Sequence, residues 1–312
     1  MRTRSRPRLF LTDRGAGEPV LLITGWTVSS AVFDPVADLY LPHVRVLAYD
    51  HRGTGRSERW LGPVSIAMLA ADAARVLDDR GVAGAHVVGL SMGAGVALEL
   101  ALRMPHRVKS LVLVGGGAGG PTTAWPDLRT AAGAVGTLMS DTVRHRQAWP
   151  AAALFSTRFR DEHPDEVSEY MSYFGRYRAP PWASGWQVLA AACFGRRGSL
   201  SRVRAPTLVL HGGRDVMAPI ANAHLLAEGI PGAELHVVPD SGHAVPLEHP
   251  RASAQLLVEW VRRHASVAPA VPGRGEVIAE RITRPFALPA GTVRNTSDAA
   301  ASVVHRLGAW SQ

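Results

Sequence analysis

Gly89-Leu90-Ser91-Met92-Gly93 follows directly on the apolar run Ala85-His86-Val87-Val88, and a stretch of helix-forming residues begins at Met92. A G-x-S-x-G sequence between a short apolar strand and a helix describes a serine held on a sharp strand-to-helix turn. Such a turn strains the serine backbone, and side chains two residues to either side would collide, so glycine is required at 89 and 93. The Ser91 hydroxyl then projects beyond the carboxyl edge of a sheet, beside the free N–H groups and positive dipole end of the next helix. Standing alone, the five residues are also explained by a helix-capping serine in an ordinary turn. The surrounding sequence has to decide between the two.

Outward from this turn, short β-branched and leucine-rich runs recur at 20–24, 44–49, 85–90, 108–114, 207–211 and 234–238. Helical apolar spacing occupies 66–80, 92–104, 220–230 and 252–264. This alternation predicts an α/β fold with a doubly wound, mostly parallel sheet and right-handed crossovers. It stops between 121 and 198, where helical spacing dominates, as at Val167, Tyr170, Met171 and Phe174. The expected organisation is therefore a core of residues 1–120 and 199–264, a helical cap over 121–198, and a linker and tail over 265–312.

The cap holds 11 of the chain's 20 aromatic residues. Trp125, Phe155, Trp182 and Trp186, with Trp26 from the core, are candidates for lining an apolar substrate pocket; filling the core of a small helical subdomain would use the same rings. Beyond His264, residues 265–275 are rich in Ala, Pro and Gly and read as a linker, and Ser297 or Asp298 could cap a short helix running to about Ala309. That tail carries no functional signal.

With 312 residues, 46% hydrophobic and 19% charged, the chain can bury a large core, which excludes disorder as its main state. The single cysteine, Cys193, excludes a disulfide framework and a Cys-based structural zinc site. The apolar patch at 9–11 is too short for a signal-peptide core, and no run of about 20 apolar residues could span a bilayer, so a soluble cytoplasmic protein is expected. The net charge of +8 is concentrated in residues 1–14, which carry +4, with +2 in each of 121–198 and 265–312. Because 33 of the 34 basic residues are arginine and none of the basic runs interleaves with aromatics, nucleic acid is not an expected partner.

A serine hydroxyl becomes a nucleophile when a base takes its proton, so a histidine and an orienting acid are required on loops at the same sheet edge. Asp215 follows the run at 207–211 in His211-Gly212-Gly213-Arg214-Asp215, and His243 follows 234–238 in Asp240-Ser241-Gly242-His243. The order Ser91, Asp215, His243 is the one this strand-turn-helix architecture uses. His86, His106, His211 and His264 lie in strands or at helix ends, where plainer roles suffice. Asp240 competes for the acid role, but it lies three residues from His243 on the same loop. Asp215, from a separate loop, can better approach the ring nitrogen facing away from the serine. Acyl transfer also needs two oxyanion donors, assigned to the backbone N–H groups of Met92, after the serine, and of Trp26, in the Gly25-Trp26 loop.

These motifs together resemble the α/β-hydrolase superfamily over about 250 residues. Besides the serine turn, Asp50-His51-Arg52-Gly53-Thr54-Gly55-Arg56-Ser57 is similar to the family's D-x-R-G-x-G-x-S turn, residues 206–215 to its strand and acid loop, and Ser241-Gly242-His243 to its G-H base. No Gly-Lys-Ser or Gly-Lys-Thr follows Gly53 and Gly55, so that segment reads as a structural turn and not a phosphate loop. The cap resembles those of 3-oxoadipate enol-lactonase-like and aclacinomycin methylesterase-like hydrolases, and Gly25-Trp26 resembles the corresponding loop of cofactor-free haloperoxidase-like members. Many members have His-Gly where this chain has Thr24-Gly25. Ser91 departs from the aspartate nucleophile of epoxide hydrolase-like and dehalogenase-like members.

The resulting expectation is a serine hydrolase cleaving a small carboxylic ester or lactone through an acyl-enzyme, with no metal or organic cofactor. Carbon–carbon bond hydrolysis or haloperoxidase- and perhydrolase-like chemistry is the enzymatic alternative. A non-catalytic ligand-binding or signalling protein on the same fold is the alternative from another class.

Overall fold

The computed structural model describes residues 6–121, 123–139 and 150–268. The tail helix expected near 297–309 and most of the linker lie outside them. Seven strands form one sheet: β1 (Leu11–Arg14), β2 (Pro19–Ile23), β3 (Arg45–Tyr49), β4 (Ala85–Leu90), β5 (Val108–Val114), β6 (Thr207–Gly212) and β7 (Glu234–Val238). Their order is β1-β3-β2-β4-β5-β6-β7, with β1 antiparallel to β3 and every other neighbouring pair parallel. The α/β architecture and six of the strands follow the reading of the sequence. β1 does not: its four residues, Leu-Thr-Asp-Arg, lie on the sheet edge with only the first two half-buried, so no apolar run marks it.

The central strands read as nearly continuous apolar runs because both faces are covered. Leu21, Ile23, Leu47, Val87, Leu111 and Val209 point to a layer containing α1 (Ile66–Asp79) and α2 (Met92–Arg103). Their neighbours Val20, Leu22, Val46, Val88, Val112 and Leu208 point the other way, onto the 3-10 segment Ser30–Leu39 and the helix Pro250–Arg263. Each fully buried leucine or isoleucine contributes about 1.5–3 kcal/mol, so this two-sided burial fixes the register. On α1, Ile66, Leu69, Ala70, Ala73 and Leu77 form the buried stripe, and the Ser65 side chain caps the helix by accepting the Met68 N–H at 3.2 Å.

Between β5 and β6 the described elements are helical: α3 (Leu128–Met139), α4 (Thr157–Glu162), α5 (Pro164–Gly175) and α6 (Pro181–Ala192), followed by a 3-10 segment at Arg197–Arg202. After β6 come α7 (Ala221–Gly229), β7, the short α8 (Val245–Glu248) and α9 (Pro250–Arg263). Because β2, β4, β5, β6 and β7 run parallel, the loops leaving their carboxyl ends all emerge at one sheet edge.

Candidate active site

Ser91 has φ 56° and ψ −118°, a left-handed conformation that non-glycine residues rarely adopt. The turn is held by the Ser91 N–H donating to the Val114 carbonyl at 2.8 Å and by the Ser91 carbonyl accepting the Ala94 N–H at 2.9 Å. The flanking glycines have a steric cause: a Cβ at Gly89 would stand 2.3 Å from the Gly93 carbonyl oxygen, and one at Gly93 would stand 2.3 Å from the Ile23 carbonyl oxygen. Strain at residue 91 and close backbone approach on both sides together aim the half-buried side chain out of the sheet edge.

Asp215 and His243 meet although they leave different strands. Asp215 Oδ2 accepts from His243 Nδ1 at 2.7 Å, and Oδ1 accepts the N–H groups of Met217 and Ala218, each at 2.8 Å. Both residues are buried. A buried carboxylate needs this full set of donors, and it fixes the imidazole with its proton on Nδ1 and the Nε2 lone pair free to accept. Asp240, the competing acid, is instead exposed and lies 3.9 Å from Arg214. A hydrogen bond from Arg214 N–H to the Ser241 carbonyl, at 2.9 Å, ties the Asp215 loop to the His243 loop.

The imidazole and the serine turn flank the same two residues after β5. A Cβ on Gly115 would lie 3.1 Å from His243 Nδ1 and Cε1, and one on Gly116 would lie 3.2 Å from the Ser91 carbonyl oxygen. The Ser91 hydroxyl makes no hydrogen bond among the described residues. Catalytic hydrogen bonds often tighten only when substrate is bound.

The loop after β2 lies against the serine: a Cβ on Gly25 would stand 3.2 Å from Ser91 Cβ and 3.8 Å from its Oγ. Neither the Trp26 nor the Met92 backbone N–H is engaged by the loop, turn and cap hydrogen bonds of the described residues. The Trp26 indole N–H donates to the Ser184 carbonyl of α6 at 3.0 Å.

The other aromatic candidates separate. Phe155 is 2% exposed and stacks on Phe159 and Tyr170, so it packs the helical layer and does not face open space. Trp125 is exposed, Trp182 is exposed beneath the Arg59 guanidinium, and Trp186 is half-buried. The Asp50–Ser57 turn is structural: Asp50 is fully buried and accepts from Ser30 N–H and Oγ, each at 2.7 Å, and from Arg56, while Arg52 pairs with the buried Asp72 at 2.6 Å.

Two features were not legible beforehand. His211, read as an ordinary strand residue, places Nε2 2.7 Å from the Ala218 carbonyl and 3.4 Å from Asp215 Oδ2, and burial lowers its pKa. Glu248 is buried and accepts three hydrogen bonds, from Gly242 N–H at 2.7 Å, Ser156 N–H at 2.9 Å and Ser156 Oγ at 2.8 Å. It thereby joins the base loop to the helical segment. No local motif marks either residue, because every partner lies in a loop or on a remote element. Among the described residues no three His, Cys, Asp or Glu side chains are grouped to hold a metal, and no helix is long and apolar enough to cross a membrane.

A family model described as the alpha/beta hydrolase fold matches residues 18–250. The chain belongs to the α/β-hydrolase family. This α/β-hydrolase is 34% identical over 264 residues to a 2-hydroxymuconate semialdehyde hydrolase of Pseudomonas putida, covering 81% of this chain and 90% of that one. It is 32% identical over 252 residues to a putative carbamate hydrolase, RutD, of Azorhizobium caulinodans, covering 80% and 93%. Among solved structures, a thermophilic esterase from Thermogutta terrifontis superposes with a TM-score of 0.71 at 25% identity, over 82% of this chain and 94% of that one. The protein is a hydrolase of this fold.

Proposed function

We propose that this α/β-hydrolase cleaves a small carboxylic ester or lactone by a Ser91–His243–Asp215 mechanism. The observation that carries the reading is the 2.7 Å contact between Asp215 Oδ2 and His243 Nδ1, at the edge where strained Ser91 emerges. With Nδ1 donating to the carboxylate, His243 Nε2 accepts the Ser91 proton as Oγ bonds to the substrate carbonyl carbon. The carbonyl oxygen gains negative charge between the Trp26 and Met92 N–H groups, beside the N-terminus of α2. Collapse breaks the bond to the leaving oxygen, which takes the proton from His243. Water then attacks the acyl-enzyme with His243 again as base, returning Ser91 and releasing the acid.

The reading takes residues 1–120 and 199–264 as the catalytic core and 121–198 as a cap whose Trp186 borders the site, with Trp26 contributed by the core. Similarity to an esterase fold and to a putative carbamate hydrolase supports acyl transfer, since a carbamate presents the same kind of carbonyl. Carbon–carbon bond hydrolysis is the second reading, favoured by the 34% identity to a 2-hydroxymuconate semialdehyde hydrolase.

Purified protein assayed on a panel of short-chain esters, methyl esters, lactones, carbamates and vinylogous diketones separates these readings. Turnover of an ester or lactone that falls by a factor of about 10⁴ or more in Ser91→Ala supports the proposal. A Ser91→Ala protein with undiminished turnover overturns it.

A further inference from the structure

The turn that carries Trp26 is not held by its own strand. Thr27 is β-branched yet sits at φ 65°, a costly conformation that persists only where its surroundings enforce it. Those surroundings come from the cap segment. Thr27 N–H donates to Gln187 Oε1 at 2.8 Å, Thr27 Oγ1 and Ser184 Oγ lie 2.8 Å apart, and the Thr27 carbonyl accepts the Ala179 N–H at 2.9 Å. The Trp26 indole is pinned to the Ser184 carbonyl at 3.0 Å. Gln187 Nε2 in turn donates to Thr54 Oγ1 at 2.9 Å, which anchors the amide to the core turn that carries Arg52 and Arg56. Gln187 is 1% exposed and Ser184 fully buried, so the Thr27–Gln187, Thr27–Ser184 and Gln187–Thr54 bonds are shielded from bulk water.

Four contacts thus fix the Trp26 side chain and the following peptide, on either side of the Trp26 backbone. Among the described residues the Trp26 N–H itself has no hydrogen-bond partner, in a loop that lies against Ser91.

We infer that Gln187, with Ser184, is a positioning residue for the second oxyanion donor: α6 sets the Trp26–Thr27 turn, and the hole is complete only while this helix is docked. The inference rests on the acyl-transfer reading above and adds a specific coupling to it. A donor misaligned by a fraction of an ångström loses much of its interaction with the transition-state oxyanion, while ground-state binding is barely touched. The cap would therefore act on the chemical step itself, beyond any contact it makes with the substrate body. Gln187 does not touch the reacting atoms, so its loss should weaken catalysis without abolishing it.

The test compares Gln187→Met, which keeps the shape and removes both hydrogen bonds, with Gln187→Glu, which keeps an acceptor for Thr27 N–H. Each is assayed on the best ester from the panel and titrated with a trifluoromethyl ketone, whose carbonyl carbon bonds to Ser91 Oγ and leaves an oxyanion in the hole. Gln187→Met should lower kcat by about 10- to 100-fold with KM within about twofold, and should weaken the trifluoromethyl ketone by a similar factor. Gln187→Glu should recover a large part of both. The pH dependence of kcat/KM should keep its midpoint, since His243 and Asp215 are untouched.

Folded Gln187→Met protein with wild-type kcat, or with kcat lowered but trifluoromethyl ketone affinity unchanged, overturns the inference. If Gln187→Met does not fold, Ser184→Ala removes the Thr27 hydroxyl partner, together with the 3.4 Å bond from Ser184 Oγ to the Ala179 carbonyl, and leaves the Ser184 carbonyl contact to the Trp26 indole in place. A roughly threefold loss in kcat at constant KM then supports the coupling, and a change confined to KM refutes it. Loss of turnover in Ser91→Ala together with a silent Gln187→Met would defeat this inference alone. An active Ser91→Ala would defeat the acyl-transfer reading with it.

Discussion

The carboxylate of Asp215 reaches the imidazole of His243 at 2.7 Å from the far side of two strand ends, and its other oxygen is held by two backbone N–H groups. The pair is thus locked at both members: the carboxylate by its own loop, the imidazole by the carboxylate. An acid fixed in this way selects one imidazole tautomer, and the tautomer decides whether the ring can accept a proton from serine.

Asp215→Asn should therefore leave the fold intact and lower kcat by about 10³- to 10⁴-fold, because an amide can present its N–H to Nδ1 and favour the wrong tautomer. Steady-state kinetics with near-ultraviolet circular dichroism checks this. A fall of less than tenfold in a folded variant would assign the acid role elsewhere.

Gly93→Ala should be costly for a purely steric reason. The added methyl would stand 2.3 Å from the Ile23 carbonyl oxygen at the buried carboxyl end of β2, where neither backbone can withdraw. A loss of about 3 kcal/mol is expected from the urea midpoint.

Glu248→Ala should destabilise by about 3 kcal/mol or more, since it strips three buried donors on Gly242 and Ser156 of their acceptor at once. Glu248→Gln, which keeps one acceptor oxygen, should lose less. Denaturant melts of the two variants measure the difference, and equal losses would mean that the carboxylate's shape matters and its hydrogen bonds do not.

Stability should fall as the solution is acidified below about pH 6.5. His51, His86 and His211 are fully buried, and burial lowers the pKa of each from 6.5, to about 4 for His86. The folded protein keeps them neutral where the unfolded chain takes up protons, so unfolding is favoured progressively between pH 6.5 and 4. Urea melts at pH 7, 6 and 5 should show this decline, and His86→Gln should flatten it by about one proton. A pH-independent midpoint over that range would contradict the burial of these rings.

How much was legible follows from the range of each interaction. β2 to β6 were readable because both faces of the sheet are apolar there, edge strand β7 because Leu235, Val237 and Val238 still mark it although Glu234 and His236 are exposed, and the Ser91 turn because Gly89 and Gly93 meet backbone within a few residues or on the adjacent strand. Edge strand β1 was not, because a half-polar four-residue strand on an edge leaves no pattern. Among the aromatic residues, Phe155 has the composition of a pocket wall and the surroundings of a packing residue, a distinction that depends on which rings it stacks against.

Periodicity and glycine placement are local, so the chain's order of residues alone determined the parallel sheet, the strained serine and the two loops that would have to answer it. The preference for Asp215 over Asp240 was also legible from their loops; tertiary structure alone decided that Glu248 holds the His243 loop and that Gln187 of a helix outside the sheet grips Thr27, and it set the contact of Asp215 with His243. Each of those choices rests on a short hydrogen bond between buried groups. Removing such groups from water is costly enough to make one partner the only acceptable one, and which partner stands there is set by packing and not by proximity in the chain.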